Sequence, residues 1–139
     1  MIPESSLAWL AGFWDADGTF GVYKRGDYYV PSISVCNTDK KIIDHICKLL
    51  DSNGTEYYID YQDRGKRSNA KPAWQIKMES SPRILSIIDS LIPYLVGKQL
   101  QAQLVSELCK LPKTRNYKVD RYWEIINNLT ALNKRGRVK

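Results

Sequence analysis

Two aspartates, Asp15 and Asp17, stand with one residue between them in the block Leu10 to Gly18, LAGFWDADG, where a helical pattern gives way to an alternating one. Carboxylates are preferred ligands of hard divalent cations, and a cation held there can activate water and stabilise developing charge in a hydrolysis. The rest of the chain removes competing chemistries. His45 is the only histidine, which leaves no His-rich site and a single candidate base for a Ser-His-Asp arrangement. Cys36, Cys47 and Cys109 are odd in number and include no CxxC pair, so they read as reduced, buried small hydrophobes rather than disulfides or zinc ligands. Taken alone, the acidic pair also fits an ordinary core helix with an acidic C-cap.

The elements that must position these acids follow from periodicity. Ser6 to Asp15 has the period of a helix, with Ser5 or Ser6 as its cap and Gly18 ending it. Ala8, Ala11, Gly12, Asp15 and Ala16 fall on one arc, and Leu7, Trp9, Leu10, Phe13 and Trp14 on the other. The large arc needs a core, whereas the small one lets a second backbone approach closely. Asp17 is expected just past the helix end.

Thr19–Arg25 and Tyr29–Cys36 then alternate as two strands around a turn at Gly26 and Asp27. Phe20, Val22, Ile33 and Val35 face the core, leaving Gly21, Tyr23, Arg25, Tyr28, Val30, Ser32 and Ser34 opposite. Thr38 or Asp39 caps a helix to about Leu50, which Asn53 and Gly54 stop. A second strand pair spans Glu56 to about Gln62 and Ala73–Met78. Ile59, Trp74, Ile76 and Met78 inward send Tyr58, Asp60, Gln62, Arg64, Gln75 and Lys77 outward. Lys66 and Arg67 lie in the polar, basic segment between these strands. Helices are expected from Ser80 or Ser81 to Ile92, from Lys98 to Lys110 and from Lys118 to Leu132. Residues 1–132 form one domain, and residues 133–139, with Lys134, Arg135 and Arg137, a basic tail.

Charge is unevenly distributed. Residues 1–60 carry five Lys or Arg against nine acids, and residues 61–139 carry sixteen against six, within an overall net charge of +6. Such asymmetry suits a polyanionic partner. The outward faces of the four strands are polar, aromatic and basic, which fits either a solvated sheet or side chains that reach phosphates and base edges. The start MIPESSLAW lacks the pattern of a signal peptide and no run of 18 apolar residues occurs, so an intracellular protein without a membrane span is expected.

The block Leu10 to Gly18 resembles the LAGLIDADG signature of homing endonucleases. Leu10, Ala11, Gly12, Asp15, Ala16, Asp17 and Gly18 match it, and Phe13 and Trp14 replace two other apolar residues. The resemblance implies an α+β fold, an αββαββα core whose curved antiparallel four-stranded sheet forms a DNA-binding saddle, with further C-terminal helices. Because one copy of the motif is present, it also implies a homodimer joined through Ala8, Ala11, Gly12 and Asp15, acting on a partly palindromic double-stranded DNA target.

In that family the last motif acid holds the metal. Asp17, aided by the Ala16 carbonyl, is therefore the expected ligand of Mg²⁺ or Mn²⁺, with Ca²⁺ binding but not supporting cleavage. LIPYLVGKQLQAQL resembles the segment bearing the family's catalytic lysine, which falls on Lys98. The family's water-organising position falls on Asn37, in place of the commoner Gln, and a further basic position on Lys41, or Lys40 one register away. Asp15 is expected to support the interface. The activity implied is a metal-dependent double-strand break. The alternative is a catalytically silent nucleic-acid-binding protein of the same fold, such as an RNA splicing cofactor or a transcription factor, and RNA binding can also stand as a secondary role.

Overall fold

A computed structural model describes residues 1–63, 71–112 and 120–134. Arg64, Lys66, Arg67, Arg135 and Arg137, expected at a nucleic-acid surface, lie outside the described residues. The elements run α1 (Glu4–Asp17), β1 (Gly18–Arg25), β2 (Tyr28–Asn37), α2 (Lys40–Ser52), β3 (Tyr58–Gln62), β4 (Ala73–Met78), α3 (Ser81–Leu85), α4 (Ile88–Leu91), a 3₁₀ turn (Ile92–Tyr94), α5 (Gln99–Lys110) and α6 (Asp120–Lys134). The order α-β-β-α-β-β-α is the expected one.

The sheet is antiparallel in the order β1-β2-β4-β3. Gly26 has φ +62° in the two-residue β1–β2 turn, where glycine adopts the left-handed region without a Cβ penalty. Phe20 faces Ile33 and Gly18 faces Val35 in one register, while Gly21–Ser32, Tyr23–Val30 and Arg25–Tyr28 share the other face. The apolar face carries Phe20, Ile33, Val35, Ile76 and Met78, all buried together with side chains of α1, α2 and the C-terminal helices. Helix α5, with Ala102, Val105 and Leu108 buried, packs against β1, β2, α3 and α6. α2 ends as a Schellman motif, with Gly54 at φ +70° and the Thr55 amide donating to the Leu50 carbonyl.

Four expectations need correction. Helix α1 begins at Glu4, two residues early, with Pro3 at the N-cap and no serine side-chain cap, and it includes Asp17 as its last residue. Its buried strip is Leu10, Ala11 and Trp14, with Leu7 partly buried, so Ala11 belongs to the core while Trp9 is 40% exposed. The large residues surround more of the helix than one face can bury.

The helix expected to run unbroken to Ile92 is interrupted after Leu85. Asn53 donates from its side chain to the Ser86 carbonyl, the acceptor a continuous helix needs for the Ser90 amide, which donates to Ile87 instead. Ile59, expected inward, does lie on the Ile76 side of the sheet but is 47% exposed, because β3 is an edge strand that the helices do not cover.

Candidate active site and nucleic-acid interface

The C-terminal end of α1 concentrates acids where a helix tolerates them least. The aligned peptide dipoles make that end partially negative, yet the last turn contains Asp15 and Asp17 and no basic residue. The two charges are handled differently. Asp15 accepts from the amides of Val96 at 2.7 Å and Lys98 at 2.9 Å, just before α5 begins, so its charge rests on the positive start of that helix. Its support is given within its own chain, and it organises the loop carrying Val96, Gly97 and Lys98.

Asp17 is exposed, and its one hydrogen bond among the described residues comes from the Asn37 side-chain amide at 3.4 Å. Asn37, the last residue of β2, also accepts from the Asp39 amide at 2.7 Å. The Lys98 ammonium donates to the Gly18 carbonyl, one residue beyond Asp17. Three residues separated by up to 81 positions, Asp17, Asn37 and Lys98, therefore meet at one corner of the sheet. Lys41 lies four residues beyond Asn37, exposed, with its backbone amide capped by Asp39 and no ion pair among the described residues, whereas Lys40 is paired with Asp44 at 3.0 Å.

Trp14 locks this corner. Its ring is fully buried, its Nε1 donates to the Thr19 carbonyl at 3.2 Å, and a Cβ on Gly18 would lie 2.3 Å from its Cδ1. Gly18 has φ −100°, an ordinary extended value, so glycine is required there by the Trp14 ring and not by backbone conformation.

The residues suit a hard cation in one respect and fall short in another. Asp17 offers an unburdened carboxylate, and Ala16 lies in the last turn, where carbonyls have no intrahelical partner. No group of three His, Cys, Asp or Glu converges among the described residues. A cation at Asp17 therefore needs further oxygens from water, a phosphate or a second copy of the chain.

The outer sheet face carries the predicted row. Tyr23, Arg25, Tyr28, Ser32, Tyr58, Asp60, Gln62, Gln75 and Lys77 all project from it in register. Val30 and Ser34 lie on this face too but are buried, at 9% and 7% exposure, Ser34 hydrogen-bonding Thr19 at 2.7 Å. They are part of the sheet's packing in the single chain. Lys134 closes α6, whose neighbouring Asn133 donates to the Phe20 carbonyl at the free edge of β1.

One residue of this face was not anticipated. Glu79, one position beyond β4, continues the alternation from Lys77. Partial burial pushes its carboxyl up, but hydrogen bonds from Tyr23, Tyr58 and Lys77 outweigh that and hold it below the ordinary range. Burial and then the bond to Glu79 push the Tyr58 phenol up to about 12.

On α1 the exposed positions are Glu4, Ser5, Ala8, Trp9, Gly12, Ala16 and Asp17. Ala8, Gly12 and Ala16 recur every fourth residue as a small-residue stripe, and a Cβ on Gly12 would meet nothing within 4 Å. Of the four expected interface residues, Ala8 and Gly12 are on this stripe, Ala11 is buried in the chain's own core, and Asp15 is half-buried and occupied by its loop.

No helix among the described residues is long and apolar enough to cross a membrane. The chain is 34% identical over 61 residues to the uncharacterized protein MJ0314 of Methanocaldococcus jannaschii, covering 44% of this chain and 23% of that protein, so it spans about a quarter of the curated relative it matches. Its fold is similar to that of the homing endonuclease I-CvuI in complex with its target in the presence of calcium, with a TM-score of 0.71, 23% identity and coverage of 93% of this chain and 82% of the other. It is also similar to the LAGLIDADG homing endonuclease I-SmaMI bound to cleaved DNA, with a TM-score of 0.65, 24% identity and coverage of 90% of this chain but 42% of the other. The family described as LAGLIDADG-like domain matches residues 4–91, from the first turn of α1 through α4. Motif, sheet and acid-bearing helix end thus coincide in one matched region, and the chain belongs to the LAGLIDADG-like domain family.

Proposed function

We propose that the protein is a site-specific DNA endonuclease that acts as a homodimer and makes a metal-dependent double-strand break. The observation that carries this reading is Asp17, an exposed carboxylate at the negative end of a helix with only a long amide contact among the described residues. Such a charge is unfavourable at a helix C-terminus, and a cation bound directly to the carboxylate relieves it beyond what the Lys98 ammonium on the neighbouring Gly18 carbonyl supplies. Asp15, by contrast, is neutralised within the fold and takes the supporting role.

In this reading the outer sheet face lies in the major groove, where Arg25 and Lys77 meet phosphates or base edges and Tyr and Gln side chains read bases. Pairing through the Ala8–Gly12–Ala16 stripe brings the α1 ends of two chains together, so that one Asp17 from each faces the backbone. That this chain covers under half of I-SmaMI fits an arrangement in which two such units make one working enzyme. Asp17 and the Ala16 carbonyl would hold Mg²⁺ or Mn²⁺, and Ca²⁺ would bind without supporting cleavage. The metal would activate water and neutralise charge at the scissile phosphate. Lys98 sets a positive charge beside Gly18, Asn37 orients the Asp17 carboxylate, and Lys41 extends the positive field towards the approaching strand.

The test is selection from a random duplex library, for binding in Ca²⁺ and for cleavage in Mg²⁺ and in EDTA. Mg²⁺-dependent cutting of both strands at enriched sequences is expected. Enrichment by binding without cleavage in Mg²⁺ sinks the nuclease reading in favour of a silent binding protein, and preferential enrichment of RNA in a parallel selection favours the splicing-cofactor role.

A further inference from the structure

Glu79 is an acid at the middle of a face that the nucleic-acid reading requires to be attractive to phosphate. In the β2–β4 register Ile33 faces Met78, which sets Glu79 beside Ser32, itself opposite Gly21. A Cβ on Gly21 would lie 2.8 Å from Asn133 Nδ2, so the place over Gly21 is taken from α6, while the small Ser32 leaves room beside Glu79 for longer side chains. Into it reach Tyr23, whose hydroxyl donates to Glu79 Oε2 at 2.7 Å, and Lys77, whose ammonium is 3.2 Å from Oε1. Arg25 donates to the Tyr23 hydroxyl at 2.5 Å, lies 3.5 Å from Glu79 Oε2, and stacks its guanidinium 5.3 Å from the Tyr23 ring centroid. Tyr58 approaches the same carboxylate from the edge strand, close enough for Glu79 to raise its phenol pKa.

One carboxylate thus ties side chains from β1, β3 and β4, while remaining 17% exposed beside an Arg25 that is 57% exposed. A free arginine on a groove-facing sheet pairs with the nearest phosphate whatever the sequence. One held from below by a carboxylate and stacked on a ring presents its outer donors in a fixed direction, the condition for a bidentate contact to a base edge.

We infer that Glu79 is a positioning residue for sequence discrimination, which fixes Tyr23, Arg25, Tyr58 and Lys77 as one pre-ordered reading unit and weakens their sequence-independent attraction to phosphate. The inference rests on the DNA-binding reading above. Glu79 itself touches no base; it acts through Arg25, Lys77 and the two tyrosines. Reading power is gained because the side chains lose little freedom on binding.

The experiment compares wild type with Glu79→Gln and Glu79→Asp in Ca²⁺, on the duplex selected by the wild type, on every single-base-pair variant of it and on one unrelated duplex. Glu79→Gln is expected to bind the unrelated duplex several-fold more tightly, since a negative charge is removed. Its discrimination is expected to fall roughly tenfold at a contiguous group of two or three base pairs in each half-site, about the contribution of one bidentate contact. Glu79→Asp, which keeps the charge, restores at least part of it. A general loss of stability would lower binding to all sequences alike, so either a uniform loss or an unchanged discrimination profile in Glu79→Gln overturns the inference. Wild type that binds no duplex overturns the DNA-binding reading and this inference with it, which separates the two failures.

Discussion

Asp15 and Asp17 are chemically identical and two residues apart, yet replacing each by Asn is expected to move stability in opposite directions. Asp17→Asn removes an exposed negative charge from the C-terminal turn of α1, which contains no basic residue of its own. Relief of that unfavourable dipole contact contributes about 0.3–1 kcal/mol, and the Asn side chain can still accept from Asn37. Asp15→Asn instead replaces an acceptor of two charge-assisted hydrogen bonds, from Val96 and Lys98, and turns an N–H towards one of those amides. Bonds to charged groups contribute about 1.5–3 kcal/mol each, and leaving one half-buried donor unsatisfied places the loss at roughly 2–3 kcal/mol.

For a chain of this size each kcal/mol moves the melting temperature by about 3–5 °C, so Asp17→Asn should melt at or slightly above wild type and Asp15→Asn roughly 6–15 °C below it. Urea denaturation of the metal-free protein at low salt reads both. A destabilised Asp17→Asn, or an Asp15→Asn as stable as wild type, refutes the division of labour argued for the acids.

Gly18→Ala must displace the buried Trp14 ring, since its Cβ would lie 2.3 Å from Cδ1. A loss of about 2–3 kcal/mol is expected in denaturant titration, and Trp14→Phe in the same chain should recover part of it; an unaffected Gly18→Ala removes the argument for glycine at this position. Gly12→Leu, whose added side chain enters open space in one chain but blocks approach of another, should leave the melting temperature of the isolated chain nearly unchanged and abolish dimers in sedimentation. A variant that still dimerises and cuts DNA places the interface elsewhere.

Acid should destabilise the sheet through Glu79: its folded carboxyl titrates below the ordinary value of 4.5, so its contribution is complete above that pH and is lost as pH falls through the lower folded value. Between pH 5 and 3 the melting temperature of wild type should therefore drop more than that of Glu79→Gln, and parallel curves would show that the carboxylate contributes no such linkage.

The parts of the fold legible in the sequence are those governed by local periodicity. The β1–β2 register follows from alternation around Gly26, and β4 spans Ala73–Met78 as expected, because strands that bury one face declare it every second residue. The inverted places of Trp9 and Ala11 were not legible: α1 carries large residues around much of its circumference, and which of them face the core depends on the position of α4 and β2, not on α1 itself. The break after Leu85 depends on Asn53, more than 30 residues away, donating to the Ser86 carbonyl.

At the site, Asp17 and Lys98 are distinctive only within a longer motif, and their juxtaposition is a tertiary fact carried by Asp15 and the Val96–Lys98 loop. Glu79 could have been read by extending the β4 alternation one residue past the strand, to the position after Met78. What hid it was its charge, which is opposite to the sign expected of a phosphate-facing surface.

Strand-resolved cleavage of the selected duplex, in Mg²⁺ and in EDTA, by wild type and by Asp17→Asn at concentrations that saturate binding, decides whether Asp17 and a divalent metal form the active site. Wild type should cut both strands only in Mg²⁺, and Asp17→Asn should bind the same duplex in Ca²⁺ yet cut neither strand. Cleavage by Asp17→Asn at the wild-type rate, or wild-type cleavage that persists in EDTA, would contradict an active site built on Asp17 and a divalent metal.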